Sequence, residues 1–524
     1  MWKGGSNSRR LGRRLLRAYA GDGGRRCMST VAVNTDDVGR SDHNYENARP
    51  FSEIPGPRGL PYVGTLFEYT RGPFSPETYH KALMQRYFKY GNIFKETISG
   101  ETIVHLFDPD YIHHVYQHEG KIPHIPPLLE TTQMYRKFRD MSPGLGNING
   151  DEWYRLRSAV QQMMMRPKAV SVYLPSVNRV AADFLDRLKR IRDPSTGDVP
   201  NFMNEVMKWT FESSAMTCFE ERQGSFDNDT DSFTQSMVDA NNKIFFLSMK
   251  LRFGIPWFRW LPSPTWKKVV HNEDYFFRCH TYLVDKTVAS IQKLVDKNQL
   301  QEGQYSFLTY LLGRPELSFR DVSIITLSLF NDGLKTTSPT TVGQLYCLAT
   351  NPDKQDKLYE EIKKVAPNKD EPVTNEMLSR LPYLKGCIKE GFRFFPIGVE
   401  VSRIPQKDLV IGGYQIPAGT HVQLNNNMLL RLDQYFDDPE SYIPERWARG
   451  KPTEKIHPYL LLPFGYGPRT CAGRRFAEQE MYVFLVKLLQ NFRVTWPNEQ
   501  PMKQKYEMLL RPDIPATFRF VPRN

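Results

Sequence analysis

With 524 residues the chain could hold several domains, yet no Gly/Ser linker, charge block or internal repeat divides residues 55 to 524, which points to one large fold. Aromatic residues at 13% and charged residues at 24% describe a globular chain and exclude a disordered one. A net charge of +12 suits an acidic partner or an anionic membrane. With no zinc finger, RNA-binding signature or array of basic helices, nucleic acid is not the partner expected.

The first 21 residues lack Asp and Glu but carry Lys3, Arg9, Arg10, Arg13, Arg14 and Arg17, with Leu11, Leu15, Leu16 and Ala18 between them at near-helical spacing. An Arg-rich, acid-poor amphipathic start reads as a mitochondrial transit peptide, assigned to residues 1–29; a disordered basic tail is the plainer alternative. Nothing there approaches the roughly 18 consecutive apolar residues of a membrane span. Residues 30–53 read as a polar linker, and Ile54 to Gly64, with prolines at 55, 57 and 61, as a stiff, turn-rich lead into a globular body spanning 54–524.

Within that body, residues 92 to 107 read as a β-hairpin around Ser99 and Gly100. Apolar residues three and four apart predict helices over Val180–Ile191, Val206–Phe219, Tyr275–Leu294 and Val322–Thr350. Strand character returns over 404–424, with turns at Gly412-Gly413 and at Pro417 to Gly419, and a last helix covers 472–491. The fold class expected is mainly α with a smaller β-rich part.

Six cysteines without CxxC pairing or disulfide-like spacing suit a reducing compartment, and Cys471 alone has a chemical context. It ends the loop from Phe464 to Gly473, just before the helix that opens with Arg474 and Arg475. Backbone N–H groups and the helix dipole predict a lowered thiol pKa there. Gly467 and Gly473 are expected to let the backbone approach a flat partner, with Phe464 shielding the sulfur. A thiolate so placed suits the axial position on haem iron.

The loop fits Phe-x-x-Gly-x-Arg-x-Cys-x-Gly and so resembles the haem loop of the cytochrome P-450 family, a likeness that extends over about residues 54 to 520. It implies the single large haem-thiolate fold of that family, haem b as cofactor and Cys471 as iron ligand. Trp153 and Arg157, four apart on one helix face, resemble the family's propionate-binding pair, and Arg469 and Arg403 resemble further propionate partners. Ordinary cation–π packing is the plain reading of Trp153 and Arg157 taken alone. Glu390 and Arg393, followed by Arg446 in Pro444-Glu445-Arg446-Trp447, resemble the family's buried network behind the haem and imply a structural role.

The oxygen-activating segment implied lies at Asp332, Gly333, Lys335 and Thr336. The family pattern ends in an acid followed by Thr; here Lys335 stands in the acid's place and Asp332 at a normally small position. A charged lysine accepts no hydrogen bond. Asp332, one turn before Thr336, is read either as the substitute proton relay or as a contact for a polar group on the substrate, against the plainer reading that water and Thr336 suffice.

The absent membrane anchor and the Arg474-Arg475 helix with Glu478 and Glu480 resemble the mitochondrial type. That likeness implies electrons from an adrenodoxin-type [2Fe–2S] ferredoxin and its NADPH-dependent reductase, docked on Lys385, Lys389, Arg474 and Arg475. It also implies the matrix side of the inner membrane. The aromatic stretch Phe245 to Leu261 is expected to cap the substrate channel and, with Lys267 and Lys268, to touch the membrane; residues 120 to 146 are expected to line the pocket. The activity implied is insertion of one oxygen atom into a lipophilic, sterol- or ecdysteroid-like substrate. Its rivals are xenobiotic oxidation, oxygen-independent isomerisation or dehydration, and a non-catalytic haem- or lipid-binding paralogue.

Overall fold

The computed structural model describes residues 44–523 apart from 143, 228–232, 302, 400, 449 and 451–455. The transit-peptide reading and residues 30–43 of the linker reading fall outside the described residues. From residue 44 onward that linker is seated on the body. The Arg49 N–H donates to Gly413 O at 3.0 Å, Gln415 N–H returns the bond to Arg49 O at 2.8 Å, and the guanidinium lies 3.8 Å from the centre of the Tyr414 ring.

Helices dominate. In Leu174–Ile191 the apolar residues Val177, Val180, Ala181, Phe184, Leu185 and Leu188 fall three and four apart and are all buried, so one stripe meets the core. Phe202–Cys218 is buried almost all round, as a central helix must be. The long helix Phe319–Ala349, here the distal helix, starts at a capping box in which Ser318 and Asp321 satisfy each other's backbone N–H groups. It packs on Phe202–Cys218, with Phe330 set edge-on against Phe211 at 4.7 Å. The helix Phe233–Arg252 lies beside it, and Arg474–Asn491 runs through the largest apolar core cluster.

The β part is small. Ile93–Ile98 and Glu101–Leu106 form an antiparallel hairpin closed by Ser99 and Gly100, as the sequence predicts. His421–Leu424 adds parallel to Glu101–Leu106, and Val401–Arg403 adds antiparallel to His421–Leu424. The predicted strand region 404–424 is therefore three short strands, Leu409–Ile411, Tyr414–Ile416 and His421–Leu424, and Arg403 ends the strand before them.

Glu390 and Arg393 are both fully buried. Glu390 accepts from Arg393 Nη2 at 2.9 Å and Nε at 3.1 Å, from Arg446 Nε at 3.2 Å, from the Ile443 N–H at 3.0 Å and from Trp447 Nε1 at 2.9 Å. Arg393 also donates to the carbonyls of Leu430, Pro439 and Ser441. The network ties the helix Pro382–Phe394 to the loops running from 430 to 447, ahead of the cysteine loop. Removing one partner strands the other charge, so Glu390→Ala is expected to cost about 3–5 kcal/mol, read as a lower urea midpoint. Arg446→Ala, at the rim of the network, should cost clearly less.

Candidate active site

A cavity of about 820 Å³ lies between the distal helix and the cysteine loop. Cys471 and Phe464 line one side; Asp332, Gly333 and Thr336 line another; Trp153, Arg157, Arg403 and Arg469 lie along its edge. These nine residues share one cavity, while Glu390, Arg393 and Arg446 sit in the network described above.

The cysteine loop is bent where Gly465 and Gly467 adopt φ of +71° and +72°. A Cβ at Gly467 would lie 2.0 Å from Glu119 Oε1, so that glycine makes room for a carboxylate rather than for a flat partner. Cys471 N–H donates to Phe464 O at 2.8 Å, which closes the loop and aims the thiol at the cavity. The backbone N–H groups of Gly473 and Arg474 do point at the sulfur, yet the thiol pKa is raised, not lowered. Burial dominates; Asp332 pushes the same way, and Gly473, Arg157 and Arg474 oppose it only in part. The sequence expectation counted the donors and left out the desolvation. The open surface of both Cys471 and Asp332 faces this interior space, not bulk water, which is why burial still governs them.

Across the cavity, Asp332 is pushed up to about 6 by burial, with Arg136 pulling against it. Thr336 Oγ1 donates to the backbone carbonyl of Asp332 at 2.8 Å, so hydroxyl and carboxyl share a helix face without bonding to each other. Lys335 is turned away from the cavity, and its Nζ donates to Asn242 Oδ1 at 2.5 Å. Pro339, which the helical pattern did not single out, removes the N–H that would otherwise reach the Lys335 carbonyl.

At the cavity edge three guanidinium groups stand against one carboxylate. Arg403 pairs with Glu119 and donates to Tyr466 O at 3.1 Å. Arg469 donates to the carbonyls of Pro123, Leu145 and Ile148, stacks 3.9 Å over the Trp153 ring, and is pulled down to about 9 by burial and by Arg403 and Arg157. Arg157 donates to Thr470 O at 2.7 Å, while its Nε is buried with no partner. Three cations and Glu119 leave two positive charges in excess, and one buried Arg157 donor is left without a partner. Two carboxylates on one flat, apolar group satisfy both, so the residues present fit iron protoporphyrin IX with its two propionates.

The docking residues lie elsewhere. Lys389 is exposed, 5.7 Å from the Trp447 ring, and Lys385 is half-buried. Arg474 and Arg475 are exposed and both pair with Glu478. Glu480, read with them as part of one charged helix, is instead buried, accepts from Ser213 Oγ at 2.5 Å and is pushed up to about 7 by burial. Helical spacing carried that signal, since Glu480 falls four residues beyond Phe476 on the inward face. Residues 125 to 131, 133, 145 and 146 line the cavity, and so do Phe258 and Arg259, as expected of the capping stretch. Arg259 pairs with Glu130 at 2.6 Å across that mouth, a contact no motif announced.

Losing the inward guanidinium should loosen the cofactor while leaving the fold intact. Arg157→Gln is expected to raise the rate of haem loss to an apo-globin acceptor roughly tenfold or more, as for a lost charged hydrogen bond, with the urea midpoint little changed.

Comparison with known proteins agrees with this geometry. Residues 54–520 match the family model "Cytochrome P450". The chain is similar to a probable cytochrome P450, CYP44, of Caenorhabditis elegans, at 40% identity over 95% of this chain and 99% of the relative. It is similar to probable cytochrome P450 301a1, mitochondrial, of Drosophila melanogaster, at 30% identity over 91% of this chain and 88% of the relative. Cytochrome P450 302a1, mitochondrial, of the same organism is 32% identical over 90% of this chain and 95% of the relative.

Proposed function

The chain belongs to the cytochrome P450 family, as a haem-thiolate monooxygenase of mitochondrial type, and on that premise we propose that it hydroxylates a lipophilic, sterol- or ecdysteroid-like substrate on the matrix side of the inner mitochondrial membrane. Electrons come from a [2Fe–2S] ferredoxin and its NADPH-dependent reductase. The observation that carries the reading is the single cavity that sets Cys471 opposite Asp332 and Thr336, with two excess positive charges at its edge. Among the described residues no helix is long and apolar enough to cross a membrane. Trp257, Trp260 and Leu261 are 59%, 63% and 65% exposed beside Tyr62, a patch suited to resting on a lipid surface.

Haem, when bound, supplies oxygen binding and O–O cleavage, to which a thiolate pushes electron density. Cys471 would hold the iron. Arg157, Arg403 and Arg469, with Trp153, would hold the propionates, and Phe464 would screen the sulfur from water. Glu390, Arg393 and Arg446 brace the loops ahead of Cys471. On the other side, Asp332 takes up protons from the cavity side of the distal helix and delivers them near Thr336, whose hydroxyl fixes the approach. The net change is RH + O₂ + 2e⁻ + 2H⁺ → ROH + H₂O. The carboxyl at Asp332 fills the need that Lys335 leaves open, so the oxygen-independent reading gains nothing from the lysine.

Aerobic turnover with a ferredoxin, its reductase and a panel of sterols, ecdysteroids and xenobiotics should give a product heavier by one oxygen, lost in Cys471→Ala. Asp332→Asn is expected to lower product formed per NADPH by about 10²-fold, the lower end for a lost acid–base group. Because the Asp332 pKa sits near 6, its protonated form is depleted as pH rises past that value. Coupling in the wild type should therefore fall as pH rises above about 6 and stay flat in Asp332→Asn; a wild-type-like profile in the variant would sink the relay.

A cationic docking face makes a separate claim. Lys385→Glu with Lys389→Glu should raise the KM for ferredoxin several-fold, leave kcat for saturating donor nearly unchanged, and weaken the dependence of KM on ionic strength. Steady-state rates across a salt series decide it.

A further inference from the structure

Lys335 stands one residue before Thr336, yet it belongs to another face of the distal helix. It is buried and does not line the cavity, whereas Asp332, Gly333, Thr336 and Thr337 do. Its amine lies against Phe233–Arg252, where burial pulls its pKa down to about 7: Nζ donates to Asn242 Oδ1 at 2.5 Å and sits 5.2 Å from the centre of the Phe245 ring. Asn242 is in turn steadied by Met207 of the helix Phe202–Cys218, its Nδ2 lying 3.7 Å from the sulfur. One turn earlier, Asn241 Nδ2 donates to Asn331 Oδ1. Two polar contacts, at 331 and 335, thus join the same two helices on the side away from the cavity.

The place is telling. Pro339 deprives the Lys335 carbonyl of its helical donor. In the same turn the hydroxyls of Thr336, Thr340 and Thr341 bond back to carbonyls four residues earlier, a pattern that bends helices. The turn from Lys335 to Pro339, which carries Thr336, therefore lacks one of its own backbone hydrogen bonds. Phe233–Arg252 also reaches the cavity through Ser248 and Arg252. Whatever fixes the spacing of the two helices fixes the height of the pocket and the placement of Thr336 together. Glu507, whose charge favours protonation of the amine, is itself paired with Arg511 at 2.7 Å and with Lys505 at 3.4 Å.

We infer that Lys335 is a positioning residue, which locks the oxygen-side turn of the distal helix to Phe233–Arg252 through Asn242 and Phe245 and so couples pocket closure over the substrate to the placement of Thr336. The inference rests on the monooxygenase reading for its activity readout and on the geometry alone for its second readout.

The test compares the full, haem-loaded chain with Lys335→Met, Asn242→Leu, the double variant, and Asn242→Asp, which keeps an acceptor for the ammonium. Two quantities are read: product per NADPH, and amide hydrogen exchange over residues 234–250 and 331–340. Each of the first two variants should lower coupling about threefold or more and speed exchange in both helices, the size expected for a lost coupling contact. The double variant should be no worse than the weaker single, and Asn242→Asp should keep coupling near wild type. If Lys335→Met uncouples while Asn242→Leu does nothing, or the two effects add, the lock is overturned and the lysine acts by another route. Unchanged exchange in both singles overturns it as well. A wild type that forms no oxygenated product would refute the monooxygenase reading instead, and the exchange data would still decide the lock.

Discussion

Everything on the cysteine side depends on one buried carboxylate. Glu390 gathers five donors from two stretches of chain, and Arg393 directs its remaining N–H groups to carbonyls of the loops ahead of Cys471. A buried charge is tolerated only where geometry satisfies it. Here the satisfying groups are backbone atoms of otherwise irregular loops, so the same bonds that keep the charge folded keep the loops in one place. A cysteine that must face a cavity from the end of a loop needs such a brace, because a loop has no ladder of its own to hold it.

The second constraint is electrostatic. Arg157, Arg403 and Arg469 crowd one edge of the cavity with Glu119 as their protein countercharge, and burial together with their repulsion draws the Arg469 pKa down to about 9. Such a cluster is unfavourable by itself and becomes favourable when a dianion is seated. The sign also reaches the sulfur: Arg157 is among the groups that favour the Cys471 thiolate, while Asp332 opposes it from across the cavity. A single space therefore carries a positive rim and an acid opposite the thiol, which is a workable arrangement for binding an anionic flat group and moving protons on its far side.

Much of this was legible from the residues, for identifiable reasons. Apolar spacing places helices over 180–191, 206–219 and 322–350, inside or within one residue of the observed 174–191, 202–218 and 319–349, and turn chemistry places the hairpin at Ser99-Gly100. Cys471, Phe464 and Arg469 are close in sequence, so spacing alone brings them together. Trp153, Arg157, Arg403 and Asp332 meet them only through tertiary packing, and resemblance rather than periodicity supplied that step. What sequence reasoning missed depends on burial. The thiol pKa went the wrong way because donors are countable in a sequence and desolvation is not. Gly467 was matched to a flat partner because Glu119, over 300 residues away in the chain, gave no local sign that it would fill that space. Glu480 was grouped with charged neighbours although its helix face turns inward.

The distal helix shows why the lysine at 335 is not a simple loss. At 3.6 residues per turn, neighbouring side chains point about 100° apart, whereas residues four apart differ by only about 40°. An acid at 335 would need a local distortion to share a face with Thr336; an acid at 332 shares that face in a regular turn, and Asp332 and Thr336 do both line the cavity. With the carboxyl at 332, position 335 faces the neighbouring helix, where a long amine side chain reaches Asn242. The proline four residues on weakens the helix at just this turn, so a contact made from outside gains in importance as the internal hydrogen bond is lost. On the proposed reading, the departure from the family pattern has two parts, an acid at 332 on the cavity face and a lysine at 335 that reaches the neighbouring helix.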